Sequence, residues 1–310
     1  MRSLVTVVLN WNGLADTRVL LPTLERCRLP EGWRHRVMVV DNGSSDGSAA
    51  SLAAEFPDVE TVALGENRRF AGGNNEGLRR ALAAGADAVM LLNNDTEADP
   101  GLIEHLLLAL EQDPTAGAAA PLIYFAAPSD RIWYAGGWLV PALGFGAHRG
   151  LRARDRGQYR AVEPTGYLTG CCLLAGRETW IRVGLLDERY FIYAEDADWS
   201  LRAREAGLRL LFVPTARLWH KVSASSGNQS PWKIYQRLRA NLTLFSRHAH
   251  GLARLTWLPA FLAQQGLLGA WLAARGQPAA ALAIPRALRD AAMGRPAAEF
   301  AARATREVRG

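Results

Sequence analysis

Two hydrophobic periodicities alternate along the first 120 or so residues. Short runs rich in β-branched residues fall at Leu4–Leu9, Val37–Val40, Val59–Leu64 and Ala88–Leu92. Between them, apolar positions recur at helical spacing around Thr17–Cys27, Ser48–Glu55 and Gly77–Ala84. That alternation predicts βα units and an α/β fold with a mostly parallel central sheet. Three of the runs close in polar or Gly-rich residues: Asn10-Trp11-Asn12-Gly13, Asp41-Asn42-Gly43 and Asn93-Asn94-Asp95. An open parallel sheet binds ligands at the carboxyl ends of its strands, so these turns mark a candidate site.

The pattern turns irregular from Pro121 to Pro164, where Gly and aromatic residues crowd together, and predicts short antiparallel strands or an acceptor-side loop. Regularity returns with a strand at Gly170–Ala175 and a helix near Glu178–Val183. A second helix, Ala197–Ala206, is closed by Gly207, and the strand Leu210–Val213 follows. Ser223–Ser230 has the composition of a linker. Beyond it, Trp232, Tyr235, Leu238, Leu242 and Phe245 fall on one helical face. Thr256–Ala274 carries no formal charge and has about the length that spans a bilayer. Gln264, Gln265 and two glycines interrupt it, which favours lying in the membrane interface or packing on the core over spanning. The expected organisation is a catalytic domain over 1–225, with parts of about 1–120 and 121–225, and a C-terminal helical extension over 226–310.

Composition narrows the function classes. The 310 residues, nearly half of them apolar, suit one large core and an appendage. A net charge of +6 favours anionic partners. Its arginines are scattered and no aromatic-studded basic stripe exists, so no nucleic-acid partner is expected. Cys27, Cys171 and Cys172 match no metal-ligand spacing and cannot all pair, which fits a reducing compartment. Met1–Leu9 resembles a core strand and not a signal peptide, so a cytoplasmic location is expected.

The strand-end acids carry the candidate chemistry. Asp41 is delivered to the sheet edge, where its carboxylate can accept from a ribose hydroxyl or a base N–H; the plainer alternative is an Asp-Asn-Gly turn. Asp95 follows a second apolar strand and can hold a divalent cation, Mn²⁺ or Mg²⁺, on a diphosphate. Asp99, before Pro100, is the better helix cap, which leaves Asp95 without a structural task. Between the two acids lies ENRRFAGGNNEG, whose glycines let backbone approach a ligand and whose Asn67, Arg68 and Arg69 add donors. Glu195, Asp196 and Asp198 open a helix, where the dipole favours acids. Asp198 can pair with Arg202, whereas Glu195 and Asp196 beside bulky aromatics are candidate general bases. His220 is a lone histidine after ARLWH. A dinucleotide oxidoreductase is disfavoured, since NWNG stands where its GxGxxG turn would be.

Together VVLNWNG, VVDNGSSDGS, NRRFAGGNNEG, LLNNDT, YLTGCCLLAGRETW and EDADWSLR resemble, in order and spacing, the family 2 glycosyltransferases, especially their rhamnosyltransferase-like branch. The resemblance covers Leu4 to His220 and implies a GT-A fold. It implies that Asp41 binds base and ribose beside Asn10 and Asn12. Asn67, Gly72, Gly73, Asn74 and Asn94 line the donor site, Asp95 and His220 hold the metal, and Asp196, with Glu195 beside it, is the base of an inverting transfer. The usual DxD element appears as Asn93-Asn94-Asp95, one carboxylate short. The expected donor is dTDP-rhamnose or a UDP-sugar. The expected acceptor is a glycan or lipid-linked glycan of cell-envelope polysaccharide, met at a membrane surface through the C-terminal helices. Those helices could instead cover the core or build a homodimer. A non-catalytic nucleotide-sugar or polysaccharide binder on the same fold is the alternative reading.

Overall fold

Val7, Val8, Val39, Val40 and Leu91 are completely buried. Neighbouring strand residues point to opposite faces, so burial of both members of Val7–Val8 and Val39–Val40 means that the sheet is covered on both sides. The computed structural model describes residues 1–222 and 230–297. The first part runs β1 (Arg2–Asn10), α1 (Leu14–Glu25), β2 (Trp33–Asp41), α2 (Ser48–Glu55), β3 (Glu60–Ala63), α3 (Arg69–Ala83), β4 (Ala88–Asn93), β5 (Thr96–Ala98) and α4 (Leu102–Gln112). Then come β6 (Ala116–Phe125), β7 (Ile132–Tyr134), β8 (Gly137–Val140), β9 (Phe145–His148), β10 (Glu163–Pro164), β11 (Cys172–Gly176), α5 (Arg177–Val183), α6 (Glu195–Glu205) and β12 (Arg209–His220). Helices α7 (Pro231–His248), α8 (Ala253–Ala274) and α9 (Pro278–Ala292) complete the chain.

The main sheet has the order β10-β12-β6-β11-β4-β1-β2-β3, with β5 on β12 and β7 on β6. β1 pairs in parallel with β2 and β4, which sets Asn10 opposite Asp41 and Leu9 opposite Asn93. One register thus brings all three polar turns to one edge. β11 is antiparallel between β4 and β6, so the sheet is mixed at its centre.

Three elements differ from the sequence pattern. α3 starts at Arg69, eight residues before the expected Gly77, and takes in Gly72 and Gly73. β6 runs straight through Pro121, where irregular structure was expected. β11 pairs with β6 only at Ala118 and Ala119, so Pro121 lies past the end of that ladder, where its missing N–H is tolerated. β12 is twelve residues long and extends beyond Val213 to His220, absorbing Pro214 in a register shift between Val213 and Arg217. The linker expected at Ser223–Ser230 lies outside the described residues, except Ser230. Its hydroxyl accepts from Lys233 N at 3.3 Å and caps α7 ahead of Pro231.

The chain divides into two compact units. One comprises 1–138, 147–188 and 195–222; the other comprises 139–146, 189–194 and 223–310. The first holds the sheet and its core. The second has its own apolar centre, where Phe245 lies 6.4 Å from Phe261 and Leu272 and Ile284 are buried. Tyr235 Oη donates to Asp290 Oδ2 at 3.1 Å within it. Among the described residues no helix is long and apolar enough to cross a membrane. Cys27, Cys171 and Cys172 are all unpaired thiols.

Candidate active site

Asn10, the last residue of β1, is completely buried and organises the sheet edge. Its amide donates to Asp41 Oδ2 at 2.8 Å and to Ser44 Oγ at 3.3 Å. Its carbonyl accepts from Thr17 Oγ1 at 2.9 Å and from Asn94 Nδ2 at 3.2 Å. A carboxamide has two donors and two acceptor sites, so Asn10 is saturated. It has no valence left for a ligand and instead locks the ends of β1, β2 and β4 together. The Asn94 amide nitrogen is committed as well, donating also to Gly13 O and Thr17 Oγ1. A Cβ on Gly13 would stand 2.3 Å from the Asn94 amide nitrogen, so the glycine makes room for that contact. Asp41 is nearly buried and also accepts from Ser44 N at 3.0 Å. Exposed Asn12 has a φ of 49° and accepts from Ser45 N at 2.8 Å, tying the first turn to the second.

The glycine-rich segment is helix, and its glycines serve packing. A Cβ at Gly73 would meet Leu9 Cδ1 at 2.4 Å, and one at Gly77 would meet Val7 Cγ1 at 2.4 Å. Gly72 faces Arg68 and Glu188. Gly73 and Gly77 thus let α3 seat closely on the strands. Asn74 is buried and donates to Phe70 O at 2.9 Å. Asn67 remains exposed, accepting from Arg69 N at 2.7 Å and from Asn42 Nδ2 at 3.1 Å. Asn42, which the sequence offered only as a turn residue, is buried and binds both sides of this junction. It accepts from Arg68 N at 2.8 Å and donates to Arg69 O at 3.0 Å.

Asp95 and His220 meet because β12 pairs with β5, His220 opposite Thr96. His220 Nε2 lies 3.1 Å from Asp95 Oδ1. Burial opposes ionisation of Asp95, but the hydrogen bond and charge of His220, with a backbone hydrogen bond and Lys221, together hold the carboxyl below its usual range. Trp133 lies edge-on to the imidazole with centroids 4.7 Å apart, and Nδ1 is buried without a partner. Two neighbouring ligands at right angles, each about 2.1 Å from one ion, lie about 3 Å apart, so this pair fits one divalent cation.

Glu195 and Asp196 open α6 behind Tyr193 and Ala194, which have φ of 69° and 67°. Such angles in non-glycine residues are strained and concentrate at functional sites. Asp196 accepts from Gly170 N at 2.8 Å and from Ala197 N at 2.7 Å. Gly170 allows this approach; its Cβ would crowd the Phe70 ring at 3.0 Å. Burial raises the Asp196 carboxyl above the ordinary range against these two N–H bonds. Glu195 is raised first by burial and then by Asp196, and its Oε2 is buried without a partner. Burial, and after it the neighbouring Asp95, Cys172 and Asp196, raise the Cys171 thiol well above its usual range. Asp198 is completely buried and pairs with Arg202 at 2.8 Å, whose guanidinium also donates to Leu185 O. That pair pins the helix.

The family model for glycosyl transferase family 2 matches residues 7–179. This chain belongs to that family. It is a glycosyltransferase. An N-acetylglucosaminyl-diphospho-decaprenol L-rhamnosyltransferase of Mycobacterium tuberculosis is 31% identical over 210 residues, covering 62% of this chain and 68% of that protein. The dTDP-rhamnosyl transferase RfbF of Shigella flexneri is 25% identical over 225 residues, 69% of this chain and 71% of its own length. The solved mannosyltransferase PcManGT from Pyrobaculum calidifontis, in complex with GDP-Man and Mn²⁺, superposes with a TM-score of 0.57. It is 18% identical, with 99% of this chain and 80% of that chain covered. Both the GT-A architecture and the rhamnosyltransferase-like kinship expected from the sequence hold.

Proposed function

We propose that this glycosyltransferase moves a sugar from a nucleoside-diphosphate donor to a hydroxyl of a lipid-linked glycan in cell-envelope polysaccharide synthesis, inverting the anomeric carbon. The observation that carries the reading is the pairing of Asp95 with His220 at 3.1 Å on the edge that also holds Asp41. In this reading Asp41, held by Asn10 and Ser44, accepts from the nucleoside, and exposed Asn67 faces the donor. Residues 1–120 form the nucleotide part, 121–225 the acceptor part and 226–310 an extension that meets a membrane face.

Asp95 and His220 would hold the cation, which when bound offsets charge on the leaving diphosphate. A mixed oxygen and imidazole donor set supports Mn²⁺ over Mg²⁺, which prefers oxygen ligands. Asp196 keeps partial exposure while two N–H groups fix its carboxylate, so it can take the acceptor proton as that oxygen attacks. One base and no covalent intermediate give inversion. dTDP-rhamnose is the first donor to test, because the Shigella relative is named for it; UDP-sugars come second. The mycobacterial relative's name supports a polyprenyl-diphosphate glycan as acceptor.

The test is sugar transfer from a panel of nucleotide sugars to a synthetic polyprenyl-diphosphate N-acetylglucosamine. Asp196→Asn should lower kcat by about 10²–10⁴-fold with donor affinity within a few-fold of wild type. Parallel loss of donor affinity would overturn the assignment of Asp196 as base.

A further inference from the structure

The inner side of α8 is well occupied. Phe261 and Leu272 are buried, and Gln264 Nε2 donates to Leu143 O at 2.7 Å. Its outer side is largely exposed. Leu255 and Leu267 are each 74% exposed, and Leu258, Leu262 and Trp271 each about 40%. At 3.6 residues per turn these five fall on one broad arc opposite Phe261 and Leu272. Between them the arc carries Pro, Ala and Gly and one polar residue, Thr256, whose hydroxyl donates to Ala142 O. An apolar strip of this length in water marks an interaction surface.

Charge identifies the occupant. From Pro231 to Arg289 the chain has eight Lys and Arg and no Asp or Glu. That excess exceeds the net +6 of the whole protein, so the remainder is slightly negative. Arg254 and Arg275 bracket the uncharged stretch, and the Arg275 guanidinium lies over the Trp271 ring at 4.6 Å. A two-fold dimer would set this patch against its own copy and bring like charges together. A bilayer with anionic headgroups satisfies both features, taking the leucines and Trp271 below the headgroups and the arginines among them.

We propose that the outer face of α8 docks in the plane of an anionic lipid surface. The proposal makes definite which face carries the membrane association suggested above, and it needs no particular donor or acceptor. The test is flotation of the full chain with phosphatidylglycerol–phosphatidylcholine vesicles and with phosphatidylcholine alone. Binding to the anionic vesicles only, weakened by salt, is expected. Arg254→Ala and Arg275→Ala should each weaken partitioning about fivefold. A Leu255→Glu, Leu262→Glu, Leu267→Glu variant, checked by thermal melting for an intact fold, should lose flotation while keeping transfer to a short soluble acceptor. Flotation by the folded triple variant, or none by wild type, would overturn the proposal. So would a wild-type dimer, seen by light scattering, that the triple variant dissociates. Absent transfer with intact flotation would instead count against the catalytic reading alone.

Discussion

At the scale of single residues, the strand-end turns are held by side chains whose polar atoms are spent on one another. Asn10 has all four hydrogen-bonding positions filled, and Asn42 bridges two loops from a buried position. Their presence in the strand-end turns was legible in the sequence; their saturation was not, because it depends on the register that puts Asn10 beside Asp41. Glu195 shows the opposite condition, a buried carboxyl with one oxygen unpaired. Burial and Asp196 raise its folded-state pKa. The folded protein therefore keeps a proton that the unfolded chain releases above about pH 4. Stability falls as pH rises through that interval, because the native state binds more protons there than the unfolded state. Gln mimics the neutral acid and cannot titrate. Glu195→Gln should keep transfer activity near neutral pH, and its urea midpoint should gain on wild type steadily from pH 5 to pH 8. Parallel midpoints across that range would show that Glu195 is ionised in the fold.

At the scale of elements, β1, β2, β4 and α2 were legible in the hydrophobic pattern and α3 was not. Gly-Gly and Asn-Asn are weak helix formers, and propensity therefore points to a loop at 67–75. Tertiary packing overrides it, since only a residue without Cβ lets α3 lie on Leu9 and Val7. His220 was similarly hard to place, because its meeting with Asp95 depends on a strand that continues past Pro214. Gly77→Ala measures the packing argument. In a helix interior, Ala is favoured over Gly by about 1 kcal/mol. Against that, the new Cβ would lie 2.4 Å from Val7 Cγ1, a stiff β-branched side chain in a fully buried strand. Overpacking of this kind costs about 1–3 kcal/mol, so a net destabilisation is expected. A melting temperature lower by roughly 2–6 °C would register it. Gly266→Ala in α8 is the control, since its Cβ would meet nothing within 4 Å and should stabilise slightly. Equal shifts for both variants would refute the steric account.

At the scale of the molecule, the division into units does not follow the order of the chain. Residues 139–146 and 189–194 belong with the helical unit although they precede it by many residues. Their anchoring there is specific. Thr256 Oγ1 donates to Ala142 O at 2.8 Å, Gln264 to Leu143 O, and Gly144 sits where a Cβ would be 2.9 Å from Phe261 Cβ. Arg237 lies over the Tyr193 ring, 5.8 Å from its centroid. The linker-like composition of 223–230 invites a cut there, on the view that the first 222 residues form a complete catalytic domain. The contacts argue otherwise, because such a fragment keeps both inserted segments and loses every partner they have in the helical unit. The segment ending at Ala194 leads directly into Glu195 and Asp196, so loosening it frees the start of α6, which carries the proposed base. A fragment of residues 1–222 should therefore melt several degrees below the full chain, and its kcat should fall more than its donor affinity. The nucleotide site proposed above lies on β1, β2 and β4, which belong wholly to the other unit. A fragment with wild-type kcat would show that the helical unit is dispensable for catalysis, whereas loss of donor affinity in step with kcat would mean that the sheet itself needs it to fold.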